Sequence, residues 1–93
     1  MPTWAKTDEF KRNWAKLSDK EKQQFLNAVR EFREDLPSGQ FRKGLRVKGY
    51  KSKKGVNEMT WADDGRALWT YGPEQRSGEP HIIWLAIGGH DIF

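Results

Sequence analysis

Residues 32–49 read Phe32-Arg33-Glu34-Asp35-Leu36-Pro37-Ser38-Gly39-Gln40-Phe41-Arg42-Lys43-Gly44-Leu45-Arg46-Val47-Lys48-Gly49, and the spacing of apolar residues changes inside them. Up to Leu36, the side chains of Phe25, Ala28, Val29, Phe32 and Leu36 fall on one helical stripe. Pro37 and Gly39 end it, since proline cannot continue a helix and glycine favours its C-terminal turn. Beyond Gly39 the period becomes 2: Leu45 and Val47 alternate with Arg46 and Lys48. The alternation predicts a half-buried strand over residues 41–49 with a cationic outer face.

Upstream of this switch, Ser18-Asp19-Lys20-Glu21 fits a capping box and starts the helix that Pro37 ends. Thr7, followed by Asp8 and Glu9, fits the start of an earlier helix, with Phe10, Trp14 and Leu17 on one face of residues 8–17. Almost nothing joins the two, which predicts a helix hairpin. Downstream, residues 56–61 and 66–71 read as strands around a turn at Ala62-Asp63-Asp64-Gly65, where Gly65 can take positive φ. Residues 72–80 read as a polar loop. Residues 81–87 form a last strand whose run Ile82-Ile83-Trp84-Leu85-Ala86-Ile87 predicts burial on both faces, ended by Gly88-Gly89. The expected class is α+β, one domain over residues 1–93: an N-terminal helix hairpin packed on one face of an antiparallel sheet of about four strands. The other face is then free for function.

The chain has 93 residues, no cysteine and a net charge of +4. Disulfide and thiolate chemistry are excluded, a reducing cytoplasm is the expected setting, and no run is long enough to span a membrane. The charge is unevenly spread: residues 1–54 carry a net +8 and residues 55–93 a net −4. Between residues 40 and 54, Arg42, Lys43, Arg46, Lys48, Lys51, Lys53 and Lys54 occur with no acid. A polyanion is the natural partner of such a block; the alternative reading is a solvated strand and loop.

The order of elements and four segments together resemble the RelE/ParE toxin superfamily, most closely its RelE- and YoeB-type RNA-cleaving branch. The segments are Gly55-Val56-Asn57-Glu58-Met59-Thr60-Trp61, Asp64-Gly65-Arg66-Ala67, His81-Ile82-Ile83-Trp84 and Ile87-Gly88-Gly89-His90-Asp91-Ile92-Phe93. The likeness covers nearly the whole chain. It implies a short first strand, which residues 2–6 could supply. It also implies a toxin that cleaves messenger RNA, usually at the ribosome, and is neutralised by a wrapping antitoxin. Three positions depart from the pattern: Leu85 stands where relatives often have basic residues, Gly89 where threonine is common, and Phe93 where many have tyrosine.

RNA carries its own nucleophile, the 2′-OH, so its cleavage needs no metal and no cofactor. It needs a base for that hydroxyl, a cation on the phosphate and an acid for the leaving 5′-oxygen. Glu58 is the candidate base, the place where the YoeB-like branch has a catalytic glutamate; its alternative is a solvated strand carboxylate. Arg66 is the candidate phosphate clamp, because a guanidinium matches two phosphate oxygens and stays charged. Its alternative is a salt bridge to Glu58 or Asp64. His90 is the candidate acid, since histidine titrates near neutrality; its alternative is a surface histidine. The resemblance gives all three the same roles. Lys43, Arg46, Lys48, Lys51, Lys53 and Lys54 are the expected RNA grip, while Trp61, Trp69 and Tyr71 read mostly as core and His81 as a strand-opening residue without a role. Two other readings remain open from sequence: a ParE-like toxin that binds gyrase, and an inactive RNA- or protein-binding member of the fold.

Overall fold

Thr7 and Ser18 start the helices as expected. In the computed structural model, which describes residues 1–89, the Thr7 hydroxyl accepts the Phe10 N–H at 3.1 Å and begins α1, Asp8–Ala15. Ser18 and Glu21 complete the reciprocal capping box, at 2.8 and 3.1 Å, for α2, Asp19–Asp35. Helix α1 stops two residues short of Leu17, because the Lys16 and Leu17 N–H groups turn back to Asn13 and Trp14 carbonyls and tighten the end. No described helix is long and apolar enough to cross a membrane.

Five strands follow the chain as β1 (Thr3–Lys6), β2 (Lys48–Gly49), β3 (Asn57–Thr60), β4 (Gly65–Arg76) and β5 (Glu79–Gly89). The sheet order is β1-β5-β4-β3-β2. Strand β1 is the short first strand that the resemblance implied. It pairs parallel to β5, with Trp4 opposite Ile82, so the sheet is mixed and five-stranded rather than antiparallel and four-stranded. The remaining pairs are antiparallel.

Three further expectations are corrected. Residues 72–80 are not a loop: β4 and β5 continue as a hairpin to a turn at Gly78, whose φ is 79°. That extension is exposed and carries no apolar alternation, so its residues look like a loop. A register shift between Gly72 and Arg76 brackets Pro73, which cannot donate to a ladder. Gly88 and Gly89 do not end β5 but belong to it. Residues 41–49 are not one strand. Lys43–Leu45 form a 3₁₀ turn, Arg46 takes a left-handed conformation at φ 46°, and only Lys48–Gly49 pair as a strand. Leu45, 2 % exposed, enters the core from that turn. Its burial answers a plug, not a strand face, and the two patterns cannot be told apart by period alone.

Both helices cover one face of the sheet. Phe10, Phe25 and Phe32 of the helices pack against Met59, Trp61, Ala67, Trp69, Ile82, Trp84 and Ile87 of the sheet. Trp61 and Trp69 are therefore core, while Tyr71 is half exposed. Asn13 and Thr7 tie α1 directly to β5: Asn13 Oδ1 accepts the Ile87 N–H at 3.1 Å and Thr7 Oγ1 donates to the Leu85 carbonyl at 2.8 Å. Leu85 is the extra residue where Leu68 pairs with Ala86 but Trp69 pairs with Trp84. The bulge turns Ala86 to the face away from the helices and returns Ile87 to the core.

Arg42 closes the C-terminal end of α2. Its Nε and Nη2 donate to the two oxygens of Asp35, at 2.8 and 2.9 Å, and its backbone N–H donates to the same carboxylate. Glu34 and Glu31 stand at 3.0 and 3.6 Å. The Arg42 hydrogen bonds lower the Asp35 pKa to about 2 from an ordinary 3.8. A carboxyl whose folded pKa is depressed stabilises the fold above its unfolded pKa and loses that contribution as pH falls through the folded one. Unfolding followed between pH 4 and pH 2 should show a loss of stability in the wild type that shrinks in Arg42→Ala.

Candidate active site

The sheet face away from the helices carries two adjacent rows of side chains. Lys48, Glu58, Leu68 and Ala86 lie opposite one another across β2, β3, β4 and β5. Thr60, Arg66 and Gly88 form the next row across β3, β4 and β5. Residues paired across a ladder share a face. The register therefore brings Lys48, Glu58 and Arg66, three of the residues singled out from sequence, to one patch of the open face.

Glu58 Oε2 lies 3.6 Å from Arg66 Nε, and both side chains are mostly buried, at 16 and 14 % exposure. Arg66 is fixed by its own turn. Its Nη1 donates to the carbonyls of Ala62, Asp63 and Gly65, at 3.3, 3.2 and 2.9 Å. Nη2 has no hydrogen bond to a described residue, which leaves a donor for a ligand anion. Gly65 allows this turn for a reason the sequence did not reveal. Its φ is not positive; instead, the Trp61 ring occupies the space that a side chain would need, 2.5 Å from an added Cβ. Trp61 in turn packs edge-on against Phe25 at 6.2 Å, which anchors the Arg66 turn to α2.

The six expected cations are all exposed but not equivalent. Lys48 stands directly opposite Glu58. Lys51, Lys53 and Lys54 lie in the loop between β2 and β3, closed by the Tyr50 N–H to Val56 carbonyl bond at 2.8 Å and held to β4 by Thr70 Oγ1 donating to the Gly55 carbonyl at 2.8 Å. Lys43 and Arg46 belong to the 3₁₀ turn and its end, not to a strand. Arg42, the other cation of the block, is engaged with acids of α2. His90 lies outside the described residues, as do Asp91, Ile92 and Phe93. The strand that leads to it places Gly88 beside Arg66. His81, 9 % exposed, shares a 2.7 Å hydrogen bond with Thr3 that ties β5 to β1. Thr60 and Gly88 were not anticipated as members of this patch, because only register reveals them.

A carboxylate next to a fixed guanidinium, with Lys48 opposite it on the neighbouring strand, can accept a proton beside a bound phosphate. Among the described residues no three His, Asp or Glu side chains cluster as metal ligands would.

No family model and no curated protein matches the sequence. Solved structures do match along the whole chain. A copper-bound mutant toxin from Helicobacter pylori superposes with a TM-score of 0.66 at 18 % identity, covering 100 % of this chain and 99 % of that one. YafQ, in the E. coli DinJ-YafQ toxin-antitoxin complex, gives 0.67 at 8 % identity, with 99 and 96 % covered. The Helicobacter pylori protein HP0894 gives 0.67 at 14 % identity, with 100 % of both chains covered. The chain has the RelE-type toxin fold. At these identities the likeness concerns the fold.

In this RelE-like frame, the Arg66 turn depends on the Trp61–Gly65 contact. Gly65→Ala should destabilise the protein by about 1–3 kcal/mol through overpacking, read by urea unfolding. Gly44→Ala, with open space around the added methyl, should leave the midpoint close to wild type.

Proposed function

We propose that the chain is the toxin of a toxin–antitoxin pair and that it cleaves messenger RNA at the ribosome by attack of the substrate's own 2′-OH. The observation that carries this reading is the convergence of Glu58, Arg66 and Lys48 on the sheet face left open by the helices. The toxin-antitoxin complex among the structural neighbours supports an antitoxin partner.

In the proposed reaction the scissile phosphate takes Arg66 at Nη2, which has no hydrogen bond to a described residue, and Glu58 receives the 2′-OH proton. The oxygen left behind attacks phosphorus and the 5′-oxygen departs with a proton. His90, carried on the chain that leaves the Arg66 row at Gly88, is the proposed donor of that proton. Lys48 adds positive charge next to the developing phosphorane. The lysine loop, held at the edge of the same face, meets the neighbouring phosphates. The products are a 2′,3′-cyclic phosphate and a free 5′-OH.

Expression without an antitoxin should arrest translation and leave fragments ending in 2′,3′-cyclic phosphate. Arg66→Ala should slow cleavage by about 10²–10³, the effect of removing a positioned electrostatic donor. Glu58→Gln and His90→Ala should each slow it by about 10²–10⁴, the usual contribution of a general base or acid. Growth arrest with intact RNA would point instead to a gyrase-binding toxin, and no arrest with retained RNA binding to an inactive member.

Binding should also report on the lysine loop. With Lys51, Lys53 and Lys54 replaced by Ala, the slope of log K against log salt should flatten by roughly two units, at about 0.7 per phosphate contact on a single strand. An unchanged slope would mean that these lysines are only solvated.

A further inference from the structure

Arg66 also stands in the wall of a cavity of about 820 Å³ that opens between α2, the 3₁₀ turn at Lys43–Leu45 and the turn joining β3 to β4. Small-ligand sites run to about 300–1,000 Å³, with apolar walls and a few polar groups. Here Ala28, Leu45 and Trp61 supply apolar wall. The charged residues around it sort into two groups. Arg42 is held by Glu31, Glu34 and Asp35, and Arg30 donates to Asn27 Oδ1 at 3.3 Å. Arg46, at the end of the 3₁₀ turn, and Asp63, in the β3–β4 turn, have no side-chain partner among the described residues. The cavity thus offers a ligand one guanidinium and one carboxylate on different walls, besides Arg66. Arg46 is also where the backbone is strained. Among the described residues it is the single non-glycine with positive φ, 46°. Such strain collects at ligand clamps and active sites. The turn itself would favour glycine, so the guanidinium is what arginine adds.

We propose that this cavity binds a guanine nucleotide, with the base between Arg46 and Asp63 and the phosphate on Arg66 Nη2. Guanine presents O6 and N7 side by side, the pair of acceptors that an arginine fork matches. Its other edge presents N1–H and N2–H, two donors for the two oxygens of a carboxylate. Adenine sets an N6–H donor against Arg46 where guanine has O6, and it offers Asp63 no adjacent pair of donors. The pyrimidines lack N7. The ligand is either a free nucleotide or a guanosine of the RNA, which carry the same base edges. The proposal rests on the proposed reaction only for Arg66 as the holder of phosphate. Binding can be read without ribosomes and without cleavage, so the two readings fail separately.

Calorimetry on the full chain compares GMP, IMP (which lacks the N2 amino group), AMP and inorganic phosphate. GMP should bind about tenfold tighter than IMP or AMP, the discrimination of a good bidentate pair, and inorganic phosphate should bind most weakly. Arg46→Gly should bring GMP down to the AMP level while its thermal midpoint stays at or above wild type, because glycine accepts positive φ. Asp63→Ala should remove the advantage of GMP over IMP. Anisotropy with labelled oligouridine carrying one guanosine or one adenosine separates the two sources. A preference for the guanosine strand that vanishes in Arg46→Gly assigns the site to the RNA. Equal binding of the two strands, with GMP still selected, assigns it to the free nucleotide. The proposal is overturned if neither GMP nor the guanosine strand is selected over its adenine counterpart, if inorganic phosphate matches GMP, or if Arg46→Gly and Asp63→Ala leave the selection intact.

Discussion

The indole of Trp84 sits where the two layers meet. Its ring centre lies 6.2 Å from Trp4 of β1, 6.3 Å from Phe10 of α1, and 5.2 and 5.4 Å from Phe25 and Phe32 of α2. Each pair contributes on the order of 0.5–1.5 kcal/mol beyond the area it buries. Deleting one such aromatic in a core costs about 3–5 kcal/mol, against a total stability of about 5–15 for a typical domain. A chain of 93 residues has one core, and this cluster lies on one face of its sheet. The other face is not covered by the helices and can carry charge.

That division explains why a carboxylate and a guanidinium can sit mid-sheet. Glu58 and Arg66 are partly covered by their neighbours and by each other, without entering the core. Their positions are nevertheless set from the core side, through Trp61 on Gly65 and Phe25. The helix layer thus fixes the turn, and the turn fixes the guanidinium. The bulge at Leu85 belongs to the same chain of effects, since α1 holds it through Thr7 and it decides which residues of β5 face Arg66.

Much of this was legible in the residues. Both helix starts were readable from Thr7 and from the Ser18–Glu21 box, because capping chemistry is local. The positions of Glu58 and Arg66 on strands flanking a turn were readable from period 2 and from Asp64-Gly65. What was not readable depends on distant partners. The parallel pairing of β1 with β5 requires a crossover that no local pattern encodes. The Leu45 turn imitates a strand because one buried leucine between cations looks the same in both. The β4–β5 extension is solvated on both sides, so it carries no alternation to detect. The need for glycine at residue 65 comes from a tryptophan ring and not from its own φ. The proposed role of His90 lies outside the described residues and stands on the resemblance and on the position of Gly88.

In the proposed reaction the RNA supplies its own nucleophile to Glu58 and Arg66. The most direct measurement is the cleavage rate of an RNA carrying a single 2′-deoxy nucleotide immediately 5′ of the scissile phosphate, against the all-ribose strand on the same ribosomes. Binding should be normal, with no cut at that phosphate. Equal cleavage of the two strands would contradict it.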